Sequence, residues 1–255
     1  MDSFDGRAGS GVDPSVWKYR IGTGIFGNSE IQTMTCSASN VYLDGHGDLD
    51  ITALGHGQSW TSGRIQTISS DFGAPAGGEM EVTASIRQPG PSAGLGYWPA
   101  FWLLGPGTWP RTGEIDILED LNALSRHSGA FHYGPASESD AIGSGLLPCP
   151  GCQTGFHTYT VMVDRRNPAD EQIRWYLDGR QFFQVSESQV GKNQAGKAAW
   201  TAAVDHGYSI IFDLAMGGSY PDDVCQCTTP SDQTTSGGTM TIRYVAVYYR
   251  RTGGN

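Results

Sequence analysis

The stretch Glu114-Ile-Asp-Ile-Leu-Glu119 places three carboxylates within six residues, each set beside apolar residues that belong in an interior. An isolated carboxylate is costly to bury, so three on one apolar strand require a chemical reason. Side chains alternate faces along an extended strand, which puts Glu114 and Asp116 on one face and Ile115 and Ile117 on the other. Glu119, an odd number of residues from Glu114, falls on the wrong face unless one extra residue intervenes. A β-bulge near Ile117–Leu118 restores it, and bulges are over-represented beside active sites. The plain alternative is a solvent-facing strand with ordinary surface acids; the neighbouring sequence argues against it.

That neighbour is Tyr97-Trp-Pro-Ala-Phe-Trp-Leu-Leu104. Trp98, Ala100 and Trp102 share one face, while Tyr97, Phe101 and Leu103 form the other and read as core. Two indoles separated by a small alanine make a ledge with room for a flat ring. The loop Gly105–Thr112 carries Trp109 and returns the chain to Gly113-Glu114, so the two strands are expected to pair antiparallel. Four effective strand steps place the glutamate Cα atoms roughly 13 Å apart, and side chains leaning together on a concave sheet reach the ~5–5.5 Å spacing of retaining glycosidases. Aromatic faces beside such a pair suit a sugar chain.

Working outward, period-2 patterns predict strands at Asn40–Leu43, Leu49–Leu54, Gly63–Thr67, Gly78–Arg87, Tyr97–Leu104 and Gly113–Glu119. Others are predicted at Ser128–Tyr133, His157–Asp164, Gln172–Leu177, Gln181–Val185, Tyr208–Met216 and Thr239–Arg250. Asp178-Gly179 is a hairpin turn signal. Helical periodicity is weak; Pro14–Tyr19 and Glu187–Lys192 each suggest a single turn. Glycine is abundant, 36 residues against an average of ~7%, and is spread between the strands without a linker or repeat. The expectation is an all-β chain: two packed antiparallel sheets forming one domain over residues 1–255.

A net charge of −10 argues against nucleic acid or an anionic membrane as partner, since both need a basic patch. No apolar run approaches a membrane span. Met1-Asp-Ser-Phe-Asp-Gly lacks the features of an export signal, so either the protein is cytoplasmic or such a signal has been replaced by Met1. Cys149-Pro-Gly-Cys152 and Cys225-Gln-Cys227 suggest two short disulfide loops in an exported protein, leaving Cys36 over; zinc is the alternative for the four. Gly22-Thr-Gly-Ile-Phe-Gly27 has dinucleotide-binding glycine spacing but no following helix, and is set aside. The six histidines show no metal-ligand spacing. Of these, His132 follows the acidic strand closely enough to face the same cleft. No Gly-x-Ser-x-Gly elbow occurs, which weighs against an esterase.

The acidic hexapeptide, with Trp98-Pro-Ala-Phe-Trp102 and Trp109-Pro before it, resembles glycoside hydrolase family 16. The extra residue between Asp116 and Glu119 is similar to the laminarinase branch. Supporting similarity lies in Gly27–Thr33, Leu49–Ala53, Ser62–Ile65, Phe131–Gly134, Trp175–Gly179 and Asp213–Gly218. The resemblance implies a concanavalin-like β-jelly-roll with a concave cleft and endo-hydrolysis of β-1,3-glucan by double displacement. It implies Glu114 as nucleophile, Glu119 as acid/base and Asp116 as the helper between them. Trp98, Trp102 and Trp109 would line sugar subsites, with Asn28, Arg64 and His132 bonding hydroxyls. No cofactor or metal is implied, and a secreted monomer acting on a polysaccharide is expected. Mixed-linkage glucan and β-1,3-galactan are alternative substrates, and a glucan-binding lectin is the alternative outside catalysis. The chain departs from the pattern at Phe26 (commonly Trp), Asp213 (usually Asn) and Arg243, which stands where calcium-binding relatives carry Asp.

Overall fold

A computed structural model describes residues 1–24, 27–135, 140–191 and 194–251; Phe26 lies outside the described residues. Strands and a few short helices build two large antiparallel sheets. The first, here the cleft sheet, runs in the order Trp17–Tyr19, Arg64–Thr67, Ser209–Met216, Tyr97–Leu104, Glu114–Glu119, Arg126–Tyr133, Asp140–Gly143. The second, the back sheet, runs Arg180–Ser186, Gln172–Leu177, His157–Asp164, Gly78–Arg87, Thr239–Arg251, Leu49–Thr52, Val41–Leu43. One continuous apolar cluster fills the space between them, with Phe101, Leu103, Ile115 and Phe131 from the cleft sheet facing Met80, Val82, Val161 and Trp175 from the back sheet. Alternation along the strands decides this: inward residues are apolar, while the outward ones are largely polar on the back sheet and mix indoles with acids on the cleft sheet.

The expected strands are present, several with bounds moved by one or two residues. The expected strand Leu49–Leu54 divides instead. Leu49–Thr52 stays in the back sheet, while Leu54–His56 joins a small third sheet with Ser59–Ser62, Thr33–Met34 and Gly22–Thr23. Ala53 is the switch point, its N–H donating to the Gly238 carbonyl. The turn expected over Pro14–Tyr19 ends early: Trp17–Tyr19 pairs with Arg64–Thr67, and the Trp17 indole donates to Asp2 Oδ2 at 2.7 Å. A helix at Gln194–Val204 escapes the sequence reading. It buries Gly196, Trp200, Ala203 and Val204, a helical spacing that its alanines make faint. Asp178 and Gly179 have positive φ (50° and 75°) and close the hairpin as their sequence requires. Cys149–Cys152 and Cys225–Cys227 form disulfides and Cys36 is free. Both pairings fit an oxidising compartment. Arg243 stacks its guanidinium 3.7 Å over Phe156 and approaches Asp48 Oδ1 at 3.3 Å, so a cationic side chain already serves the acid there.

Candidate active site

The acidic strand carries its extra residue at the expected place. Against Tyr97–Leu104, Leu118 faces Phe101 and Asp116 faces Trp102, leaving Ile117 without an opposite number. Against Arg126–Tyr133, Asp116 faces Ala130 and Glu119 faces Ser128, so Ile117 and Leu118 together oppose Gly129. Both bulged residues turn into the core, and Glu119 returns to the face of Glu114 and Asp116.

The back sheet braces this bulge. Trp175, fully buried, donates its indole N–H to the Asp116 carbonyl at 2.7 Å. A bulge disrupts the ladder locally, and a buried carbonyl without a partner is costly. Gly129 makes the contact feasible, because a Cβ there would lie 2.6 Å from the Trp175 ring.

Glu114, Asp116 and Glu119 line a trough of about 320 Å³ with Trp98, Ala100, Trp102, Trp109, Asn28 and Arg64. Trp98 donates to Glu119 Oε1 at 3.0 Å, and Trp102 donates to Asp213 Oδ1 at 2.7 Å. Arg64 lies over the Trp102 ring, 4.7 Å from its centroid. His132 places Nε2 3.2 Å from Asp116 Oδ2 and 3.9 Å from Glu114 Oε1. Polar atoms of Glu114, Asp116 and His132 fall within 4.8 Å of one another. Trp109 is 46% exposed and leans on the His132 ring at 5.9 Å. Every site residue expected from sequence therefore reaches the trough or its wall.

Two acids there received no role from the sequence. Glu30, held by Gln32 Nε2 at 2.9 Å, and Asp213 line the same trough. Asp213 stands opposite Arg64 on one side and opposite Ala100 on the other. The alternation of Ser209–Met216 gave the available signal: a lone acid on an otherwise apolar strand.

These acids raise one another's affinity for protons. Burial, then the Asp116 charge, pushes Glu119 up to about 8. Burial, then Asp213, pushes Asp116 up to about 8. Glu114 is raised well above the usual carboxylate range by burial and then Asp116, against the opposing pull of His132. Glu30 rises to about 7 through burial and Asp213, and Asp213 itself is raised by burial against Arg64 and the Trp102 donor. Such a group titrates as a coupled set in which some members keep a proton near neutrality while others are ionised.

An aromatic ledge and coupled carboxylates across one sheet of a jelly-roll define a carbohydrate-active β-sandwich. The family model described as "XgeA-like, catalytic GH16 domain" matches residues 85–145. The endo-1,3-β-glucanase of Streptomyces sioyaensis is 37% identical and superposes with a TM-score of 0.87 over 99% of this chain and 95% of that one. The endo-β-1,3-glucanase of Pyrococcus furiosus is 30% identical with a TM-score of 0.76, over 99% and 94% respectively. The chain belongs to glycoside hydrolase family 16. Glucan endo-1,3-beta-glucosidase A1 of Niallia circulans is 30% identical over 97% of this chain, which spans 37% of that longer protein.

Proposed function

We propose that the chain is a retaining endo-glycosidase that hydrolyses β-1,3-glucan, with Glu114 as nucleophile and Glu119 as acid/base. The observation that carries this reading is the bulge at Ile117, which turns Glu119 onto the trough face shared by Glu114 and the indoles of Trp98 and Trp102. The names of the glucanase relatives support the choice of polymer.

In the first step the Glu114 carboxylate attacks the anomeric carbon as the glycosidic C–O bond breaks, and the Glu119 proton passes to the leaving oxygen. In the second, Glu119 takes a proton from water as that water displaces Glu114 from the sugar, giving net retention. The environments suit this division. Burial and Asp116 raise both glutamates, which keeps a proton available to Glu119 near neutral pH, and His132, which opposes the rise of both, lies 3.9 Å from Glu114 Oε1. Asp116 lies between them and holds a shared proton rather than a third charge. Trp98, Trp102 and Trp109 stack on sugar rings, and Asn28, Arg64 and His132 bond hydroxyls. Residues 1–255 act as one catalytic domain, a secreted monomer whose partner is the polysaccharide.

The test is incubation with laminarin, mixed-linkage glucan and β-1,3-galactan, with product sizing and NMR of the first-formed anomer. Release of laminarin oligosaccharides with the β-anomer appearing first is expected. Glu119→Gln should lose about 10²–10⁴-fold in kcat, and Glu114→Gln at least about 10⁴-fold, with folding intact. A lectin would release nothing, and near-wild-type turnover in either variant would refute the role assignments.

A further inference from the structure

The outer face of the back sheet, on the far side of the sandwich from the trough, carries a second groove of about 380 Å³. One wall comes from Thr239–Arg251 and consists of Tyr248, Tyr249 and Arg250. The facing wall comes from Gln172–Leu177 and consists of Arg174 and Tyr176. Three strand spacings of ~4.8 Å separate the walls, about 14 Å, which is room for a single glycan chain.

The floor between them is Glu81 and Met162, which stand opposite each other on neighbouring strands, and the row beside them is polar. There Thr83 and Thr160 face each other with hydroxyls 2.6 Å apart. Tyr248 is 56% exposed, an unusual investment for a large ring on a sheet that has already buried its other face.

Charge decides the class of ligand. Arg166 lies 2.7 Å from Glu79 and 2.8 Å from Asp164, Arg174 also bonds Asp164, and Arg250 is 3.7 Å from Glu79. Each arginine of the groove thus has a carboxylate partner, and Glu81 completes an even balance of three cations and three anions. A polyanion finds no surplus positive charge here, on a chain of net charge −10. A neutral, polyhydroxylated chain finds aromatic walls for its C–H faces and planar polar groups for its hydroxyls.

We propose that this groove is a second, non-catalytic glycan-binding site that holds a neutral β-glucan strand on the back of the sandwich. The identity of the polymer as β-glucan rests on the reading of the trough; the site itself does not. It tethers the protein to insoluble substrate while the trough works on a neighbouring strand.

The experiment is a depletion assay on insoluble β-1,3-glucan, with Tyr176→Ala/Tyr248→Ala made in a Glu114→Gln background so that the polymer is not consumed. Retention should fall at least about fivefold, and Tyr176→Phe/Tyr248→Phe should restore it. In the active background, the alanine pair should keep wild-type kcat/KM on a soluble oligosaccharide and slow only on the insoluble polymer. Undiminished retention overturns the proposal. So does a change in sedimentation without a change in retention, which would assign the face to a second copy of the chain. Tyrosine-dependent retention by a wild-type protein that cleaves no soluble glucan would refute the reading of the trough and support the second site.

Discussion

Substituting Gly129 by alanine tests whether the back sheet sets the geometry of the acidic strand. The new Cβ would lie 2.6 Å from Trp175 Cδ1 and 2.8 Å from its Nε1, closer than carbon and nitrogen tolerate. Trp175 is fully buried and packed 4.9 Å from the Phe183 ring, so it has no free space into which to retreat. Overpacking of this kind costs about 1–3 kcal/mol. Displacing the indole also strips the Asp116 carbonyl of its 2.7 Å donor, and a buried acceptor left unsatisfied costs a further ~1–3 kcal/mol. Together these come to ~2–6 kcal/mol, which in a chain of this size lowers Tm by about 4–11 °C. The effect on function should exceed the effect on folding, because the bulge opposite Gly129 is what aims Glu119. A shift of one ångström at the acid/base costs about 10²-fold in kcat. Trp175→Phe is the companion variant: it removes the donor without the clash and should lose ~1–3 kcal/mol with a smaller fall in kcat. Calorimetry and laminarin kinetics on both variants decide the matter. Wild-type Tm and kcat in Gly129→Ala would refute the claim that this cross-sheet contact fixes the bulge.

The remaining predictions concern charge and the exposed indole. Asp116→Asn removes a charge that raises both Glu114 and Glu119, so both limbs of the pH–rate profile should move to lower pH; an unmoved profile would separate Asp116 from the pair. Asp213→Asn keeps an acceptor for Trp102 but removes the charge acting on Asp116 and, more weakly, on Glu119. The alkaline limb should fall in the same direction by a smaller amount, and a rise would contradict the electrostatics. Because Asp116 and Glu119 sit at about 8 and Glu30 at about 7, the folded chain retains protons that unfolded carboxylates release near their ordinary pKa of ~4. Stability is therefore greatest below that range and declines as pH rises through about 8; a Tm that climbs steadily from pH 5 to 9 would be incompatible. Trp109→Ala should leave Tm unchanged and raise KM about fivefold, the equivalent of ~1 kcal/mol of stacking, and an unchanged KM would remove Trp109 from the sugar path.

The acidic strand was legible because its requirements conflict. Period-2 alternation satisfies Glu114 and Asp116 but misplaces Glu119, and one inserted residue is the least change that reconciles them. The tryptophan ledge was legible for the same reason, since its two faces differ sharply in chemistry. Other features left no comparable trace. The helix Gln194–Val204 buries Trp200 and Val204 beside Gly196 and Ala203, and the alanines spread round its other faces leave little periodic contrast. The strands of the third sheet are two to four residues long, too short to show alternation. The bond from Trp175 to the Asp116 carbonyl joins residues 59 apart through a main-chain atom, so no side-chain pattern announces it. Gly129 inside a strand was the one available hint, as strand glycines often mark a close approach of other atoms.

The trough is organised around Ala100. Read across the strands, Arg64, Asp213, Ala100, Glu119 and Ser128 stand opposite one another in a single row. Ala100 is the low point of that row, and the indoles of Trp98 and Trp102 rise on either side of it along the strand. Each indole turns its N–H to a different flank: Trp98 to Glu119, Trp102 to Asp213. The two aromatic rings are thereby fixed by the acids beside them, and the acids are fixed by the rings. Their electrostatic settings differ. Asp213 faces Arg64, whose charge opposes the rise that burial gives it, whereas Glu119 faces Ser128 and has the Trp98 indole donor and, more weakly, His132 against its burial and the charge of Asp116. One row therefore holds two carboxyls that burial raises, one opposed by a guanidinium and the other held by an indole, separated by a single alanine. Under the proposed function, a sugar ring lying over Ala100 would sit between these two acids, with Glu119 on the side where the proton is donated.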